Sequence, residues 1–346
     1  MTSTRVSQKS VLVAGGSGFV GSHTARLLAR QGRKVRVLLR KTSSTEALRG
    51  VPVEIVHGDV LDSASLRAAM EGCASVFYSV VDPRFWLTDP TPLYRNNVEG
   101  LTHAMDAALA CGVERFIFTS SMGTLGFNPH GAVTEDIPFN WHERASPYIL
   151  ARLEAENRFL ACCREAGLPG IALCVANTYG PEDYGPTPHG KALWDTARGT
   201  LKAALDAGAP AVDIRDVAQA AVLAETRGRI GERYIIANEL VSNRTLYALA
   251  TAQLGNPPPV FIPLRLAYAV AWMAERWCKL VGRRDYLVST QAVFLSNAFQ
   301  QMDNGRARRE LGWEPRPVAD TIRDAVAWYA QRYAADRSST ELAAAR

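Results

Sequence analysis

Three glycines spaced three residues apart are the first residues here that could do chemistry. In "AGGSGFVGSH", Gly15, Gly18 and Gly21 form G-x-x-G-x-x-G between an apolar run, "SVLVAG", and an amphipathic one, "FVGSHTARLLARQG". The first two let a backbone turn tightly and approach a pyrophosphate, and the third lets a helix pack closely on a strand. The helix that follows offers free N–H groups and its positive dipole end to the phosphates. A strand before and a helix after are the context that turns a glycine pattern into a dinucleotide site. The next apolar run ends in "VRVLLRKTSS". An acidic residue there would bind the ribose 2′-hydroxyl of NAD. The equivalent position is Leu39, followed by Arg40 and Lys41. Arginine accommodates the 2′-phosphate of NADP, so NADP is expected ahead of NAD, with Ser43 and Ser44 as further donors. Asp59, in "HGDVLD", has two readings: an acceptor for the adenine amino group, or an ordinary Gly-Asp turn.

The elements that must position these residues alternate. "SVLVAG", "KVRVLL", "VEIVHG", "SVFYSV", "RFIFTSS", "GIALCVAN" and "RYIIAN" read as strands. "SASLRAAMEGC" and "LYRNNVEGLTHAMDAALACG" carry apolar residues at helical spacing, and Gly32, Gly72, Gly112 and Gly167 mark helix ends. Strands alternating with helices predict an α/β fold, a doubly wound parallel sheet covered on both faces. The second half is less regular. "TYGPEDYGPTPHG" reads as a loop, and "RSSTELAAAR" as a frayed end.

Composition narrows the function classes. The chain has 346 residues, 47% hydrophobic and 21% charged, with net charge +5, enough for one large domain or two joined ones. Its basic residues are dispersed and never interleaved with aromatics, so nucleic acid is not an expected partner. Six cysteines at 73, 111, 162, 163, 174 and 278 show neither C-x-x-C nor metal-ligand spacing. They are expected to be free thiols, and the protein cytoplasmic. The start, "MTSTRVSQKS", has no apolar signal core. No window reaches the roughly 18 uncharged apolar residues of a membrane span. The nearest, within 260–281, carries Arg265, Glu275, Arg276 and Lys279. No histidine spacing suggests a metal.

Together "GGSGFVG", "HGDVLD", "NNVEG", "RFIFTSSMGTLG", "SPYILAR" and "NTYGPED" resemble the extended short-chain dehydrogenase/reductase family, from about residue 9 to 330. "FTSSMGTLG", "LYRNNVEG" and "RARRELGWEPRPVADTIRDAVAWY" are similar to its dihydroflavonol-reductase-like and hopanoid-associated sugar-epimerase-like members. The resemblance implies a Rossmann-type dinucleotide-binding domain over 9–176 and a smaller substrate-binding lobe over 177–332. Some strands of that lobe return to the main sheet, and a tail covers 333–346. It implies cofactor contacts from Gly15, Gly18, Phe19, Val20, Arg40, Lys41, Asp59, Val60, Tyr148, Arg152 and Asn177. Ser121 would hydrogen-bond the substrate oxygen and Tyr148 would exchange a proton with it. Asn97 would bridge backbone near the site, and a homodimer would form through the helices of "NNVEG" and "SPYILAR".

One residue departs from the family. A lysine is expected four places after Tyr148, on the same helix face, to lower the tyrosine pKa and bind ribose. Arg152 stands there. It keeps the charge but not the shape. Three outcomes stay open: Arg152 takes the lysine role, catalysis is slower or helped by another group, or the protein binds cofactor without this chemistry. Cys174 replaces an arginine that sugar-nucleotide members carry, and "LKAALDAGAPAVDIRDVA" is mostly small and apolar. A hydrophobic ketone or aldehyde, steroid-like or aryl, is the expected substrate, with a sugar epimerase or dehydratase and an NADP sensor as alternatives. Phe85, Trp86, Phe127 and Trp141 are candidate substrate contacts, with Trp194 as further wall. Trp272 and Trp277 are expected in the core. A surface position of 260–281 on a membrane is the other reading of that stretch.

Overall fold

The computed structural model describes residues 9–84, 87, 89–281 and 290–344. In chain order its elements are β1 (Ser10–Ala14), α1 (Phe19–Arg30), β2 (Val35–Leu39), β3 (Glu54–His57), α2 (Ser63–Met70), β4 (Cys73–Tyr78), α3 (Thr91–Tyr94), α4 (Gly100–Ala110), β5 (Arg115–Ser121) and α5 (Pro147–Glu165). Next come β6 (Gly170–Val175), β7 (Asn177–Tyr179), α6 (Pro188–Ala197), β8 (Ala203–Leu205), β9 (Gly208–Asp213), α7 (Ile214–Arg227), β10 (Arg233–Ile236), β11 (Glu239–Ser242), α8 (Asn243–Ala252), β12 (Val260–Ile262), α9 (Leu264–Leu280), α10 (Thr290–Leu295) and α11 (Val318–Ala344).

Seven strands form one parallel sheet in the order β10-β6-β5-β4-β1-β2-β3. β1 pairs with β2 on one side, Val11 opposite Val35, and with β4 on the other, Val13 opposite Phe77. The strand order reverses there, and a crevice opens beyond the C-terminal strand ends at such a reversal. Successive residues of β1 point to opposite faces. Val11 and Val13 join the core that includes Leu28, Val37 and Ile117, while Leu12 and Ala14 join the one that includes Leu66, Leu101 and Phe116. Burial on both faces explains why these strands read as continuous apolar runs. The seven strands predicted from sequence are the seven of this sheet, and the four predicted helix-ending glycines all take left-handed backbone.

The C-terminal half forms two small sheets, β11-β9-β7 and β12-β8, while β10 returns to the main sheet beside β6. Three sequence expectations change here. Trp194 is not a pocket wall. It stacks on Tyr329 and Tyr333, 5.7 and 5.4 Å between centroids, inside a separate core. Trp272 and Trp277 are not core residues either, being 53% and 65% exposed. The inward side of α9 is made by Ala267 and Ala271, which pack with Val293 of α10 and leave the larger side chains outside. Residues 333–344, read as a frayed end, continue helix α11.

Candidate functional site

In a parallel sheet every strand ends on the same edge, so residues that follow different strands converge. Gly15 and Gly18 follow β1, Arg40 and Lys41 follow β2, and Asp59 and Val60 follow β3. Ser121 ends β5 and Asn177 lies just beyond β6. The β1–α1 loop is tight. Gly15 has φ +83°, and a Cβ there would lie 2.8 Å from the Ser79 carbonyl carbon. A Cβ on Gly21 would lie 2.3 Å from the Gly15 oxygen, the close helix–strand approach inferred from the motif. Gly18 caps α1 without a side-chain bond, and the first turn holds no acid, so no side chain competes with a ligand for its amides. Phe19 and Val20, half-buried, begin that helix.

Arg40 and Lys41 are exposed at the end of β2. Asp59 makes a turn: Oδ1 accepts from the Leu61 N–H at 3.0 Å, and the Asp59 N–H donates to Ser65 Oγ at 3.1 Å. Val60 is buried against Gly100, where a Cβ would meet its Cγ2 at 2.8 Å. Asn177 is half-buried at the start of β7.

Helix α5 carries Tyr148 and Arg152. Ser146 caps it, its side chain accepting from the Ile149 N–H, and Pro147 takes the first position, where a missing N–H costs nothing. Ser121 Oγ accepts from the Gly123 N–H at 3.1 Å, which leaves its hydroxyl hydrogen for another acceptor. Tyr148 is half-buried. Burial pushes its phenol above the usual range, the Arg152 charge pulls it down, and Asp82 pushes it up again. Arg152 is 2% exposed. Its Nη2 donates to the Thr119 carbonyl at 2.6 Å and its guanidinium lies 5.2 Å from the Phe118 ring centroid. Its Nε and Nη1 are buried without a hydrogen-bond partner, as is the Tyr78 hydroxyl. These unspent donors, the glycine cradle and the uncapped helix start fit a bound dinucleotide.

Sequence reading missed Asp82. It is 6% exposed and accepts from Arg84 Nε at 2.7 Å and Asn96 Nδ2 at 2.8 Å. The bonds from Arg84 hold its carboxyl below the usual carboxylate range. Asn97 Oδ1 accepts from the Asp82 N–H at 2.9 Å and Nδ2 donates to the Asp82 carbonyl at 3.2 Å, the backbone bridge expected of it. Asn96 and Asn97 lie in a π turn, 95–99, between α3 and α4. Such turns re-aim side chains and recur at functional sites. Nothing in the pattern near "VVDP" signals this role.

Glu156, one turn beyond Arg152, is fully buried. It accepts from Ser120 Oγ, from Thr124 Oγ1 at 2.8 Å and from Arg233 Nη1 at 2.8 Å, with Cys174 Sγ at 3.5 Å. Cys174 is thus a buried thiol in a structural network, and burial pushes it far above the usual thiol range.

Beside the start of α5 lies a pocket of about 470 Å³ lined by Phe127, Asn140, Trp141, His142, Glu143 and Arg144. The Phe127 and Trp141 rings are 5.1 Å apart, and Phe139 and Phe294 extend the aromatic wall. Trp141 is anchored by its Nε1–H, which donates to the Leu125 carbonyl at 2.9 Å. Of the sequence candidates, Phe127 and Trp141 come together here, while Phe85 and Trp86 lie outside the described residues. No group of three metal-ligating side chains occurs among the described residues.

The sequence profile of the NAD dependent epimerase/dehydratase family matches residues 11–237. The chain is 30% identical over 330 residues to "Sterol demethylase protein B" of Methylococcus capsulatus, covering 93% of this chain and 99% of that one. It is 31% identical over 323 residues to a "Putative dihydroflavonol 4-reductase" of Synechocystis sp., covering 92% and 93%. The crystal structure of gox2253 superposes with a TM-score of 0.85 at 34% identity, covering 94% of this chain and 98% of that one. The chain therefore belongs to the NAD dependent epimerase/dehydratase family and is an NAD(P)-dependent oxidoreductase of the extended short-chain type.

Proposed function

We propose that this member of the family is an NADP-dependent reductase of a hydrophobic ketone or aldehyde, steroid-like or aryl, with Tyr148 as proton donor. The observation that carries the reading is the pairing of Tyr148 with Arg152, whose charge acts on the phenol. Burial raises the Tyr148 phenol, so at neutral pH it holds its proton and can donate it. Bound NADPH would supply the hydride to the carbonyl carbon. Ser121 donates its free hydroxyl hydrogen to the carbonyl oxygen and orients it. Tyr148 passes its phenolic proton to that oxygen, and the fixed charge of Arg152 stabilises the phenolate left behind. The buried Nε and Nη1 of Arg152 are the donors available to the nicotinamide ribose, so arginine fills the lysine role.

NADP is favoured over NAD because Leu39 offers no acceptor to a 2′-hydroxyl, while Arg40 and Lys41 are exposed beside it. Phe127 and Trp141 favour a flat apolar substrate. The names of the two relatives, "Sterol demethylase protein B" and "Putative dihydroflavonol 4-reductase", are in keeping with that. A homodimer through α4 and α5 belongs to the same reading.

The test is NADPH oxidation over a panel of hydrophobic ketones and aldehydes, with NADH alongside. Turnover is expected with NADPH, lower with NADH, and reduced by about 10²–10⁴-fold in Tyr148→Phe. Tightly held dinucleotide with epimerised product and no net NADPH consumption would sink the reductase reading.

A further inference from the structure

More than half of the exposed large apolar side chains among the described residues fall between Leu266 and Val281, on and just beyond helix α9. Leu266, Val270, Met273, Trp277 and Leu280 follow one another at intervals of four, three, four and three, so they form one continuous stripe. A patch of this kind on a protein surface marks an interaction site. The opposite side of the helix is already occupied, since Ala267 and Ala271 pack on Val293.

The charges on α9 are sorted as well. Glu275 faces inward, its carboxylate accepting from the Thr290 N–H at 2.7 Å and from Thr290 Oγ1 at 2.9 Å. Arg265 and Arg276 are exposed, and about three turns apart they share one flank of the stripe. The Arg276 guanidinium lies 5.0 Å from the Trp272 ring centroid on that flank. An apolar stripe bearing tryptophan, bordered by arginine, is the pattern of a helix lying in a membrane interface. No helix among the described residues is long and apolar enough to cross a membrane.

We propose that α9 docks flat on an anionic lipid surface, with the stripe at the headgroup boundary and Arg265 and Arg276 at the phosphates. A second copy of the chain fits less well. An antiparallel two-fold pair of these helices sets the same flank of each side by side, arginine against arginine. The docking assignment stands without the reductase reading.

The experiment is flotation of the full-length protein with vesicles of phosphatidylcholine alone, or of phosphatidylcholine and phosphatidylglycerol in equal parts. Wild type is expected to float with the anionic vesicles. Met273→Ser/Trp277→Ser should weaken that binding by about tenfold or more. Arg265→Ser/Arg276→Ser should weaken it by roughly tenfold on anionic vesicles and leave the neutral ones unchanged. All four side chains are exposed, so thermal melts and NADPH binding should match wild type and separate docking from folding and from catalysis. Binding to neither vesicle, or binding indifferent to Met273→Ser/Trp277→Ser, overturns the proposal. So does a lipid-free dimer, seen by light scattering, that the same variant dissociates.

Discussion

Tyr148, Arg152 and Glu156 stand one turn apart on the same helix, and its two ends treat their polar atoms differently. At the inner end Glu156 is fully buried and bonded to Ser120, Thr124 and Arg233. At the outer end Arg152 has one protein acceptor and two buried donors without one. The only other buried side-chain polar atoms without a hydrogen-bond partner among the described residues are the Tyr78 hydroxyl, at the end of β4, and His23 Nε2, which lies 3.4 Å from Glu182 Oε2. A buried donor left unpaired costs about 1–3 kcal/mol, so a fold keeps few of them. Within α5 the Glu156 carboxylate is fully bonded inside the protein, while the Arg152 guanidinium keeps two donors without a protein acceptor.

Breaking the inner end is expected to have the largest effect on stability. Glu156→Gln removes the ion-pair partner of the half-buried Arg233 and should cost about 3 kcal/mol in urea unfolding. If the loss is negligible while turnover collapses, Glu156 belongs with the reacting groups and the contrast fails.

His23 sharpens the other side. Burial, aided by the charge of Arg26, lowers it from 6.5 to about 4. Between those values the unfolded chain binds more protons than the folded one, so stability falls as pH drops from 6.5 towards 4. The difference amounts to roughly 3 kcal/mol at most. Urea melts across that window should show His23→Phe losing less stability than wild type. Parallel curves for the two proteins would contradict it.

The third effect is the smallest and the most specific. Arg152→Met removes the charge that pulls the Tyr148 phenol down, so the phenol rises further. In alcohol oxidation, which needs the phenolate, the rising limb of the pH–rate profile should then move to higher pH. An unmoved limb would mean that Arg152 only binds ribose.

Much of this was legible in the sequence. The seven sheet strands are short apolar runs bounded by turn residues, and burial on both faces makes such runs apolar throughout. The glycine loop declared itself because only glycine tolerates φ +83° with a carbonyl carbon 2.8 Å from where a Cβ would be. Ser121, Tyr148 and Arg152 could be named because helical spacing and a resemblance place them.

Other features depend on contacts between residues far apart in the chain. Trp194 and Trp277 are both tryptophans in helical segments, yet one is stacked in a core and the other stands 65% exposed. Period alone says which residues share a face. What covers that face is decided by the neighbouring element, and beside α9 the covered side belongs to the alanines. Asp82 was invisible for the same reason, since its partners come from a π turn no local pattern announces. The sequence by itself determined the sheet, the phosphate loop and the tyrosine–arginine pair, because each rests on local spacing. Only the tertiary structure decided which buried charges are paired, which donors have no protein acceptor and which apolar face is left in solvent, because each depends on what packs against it.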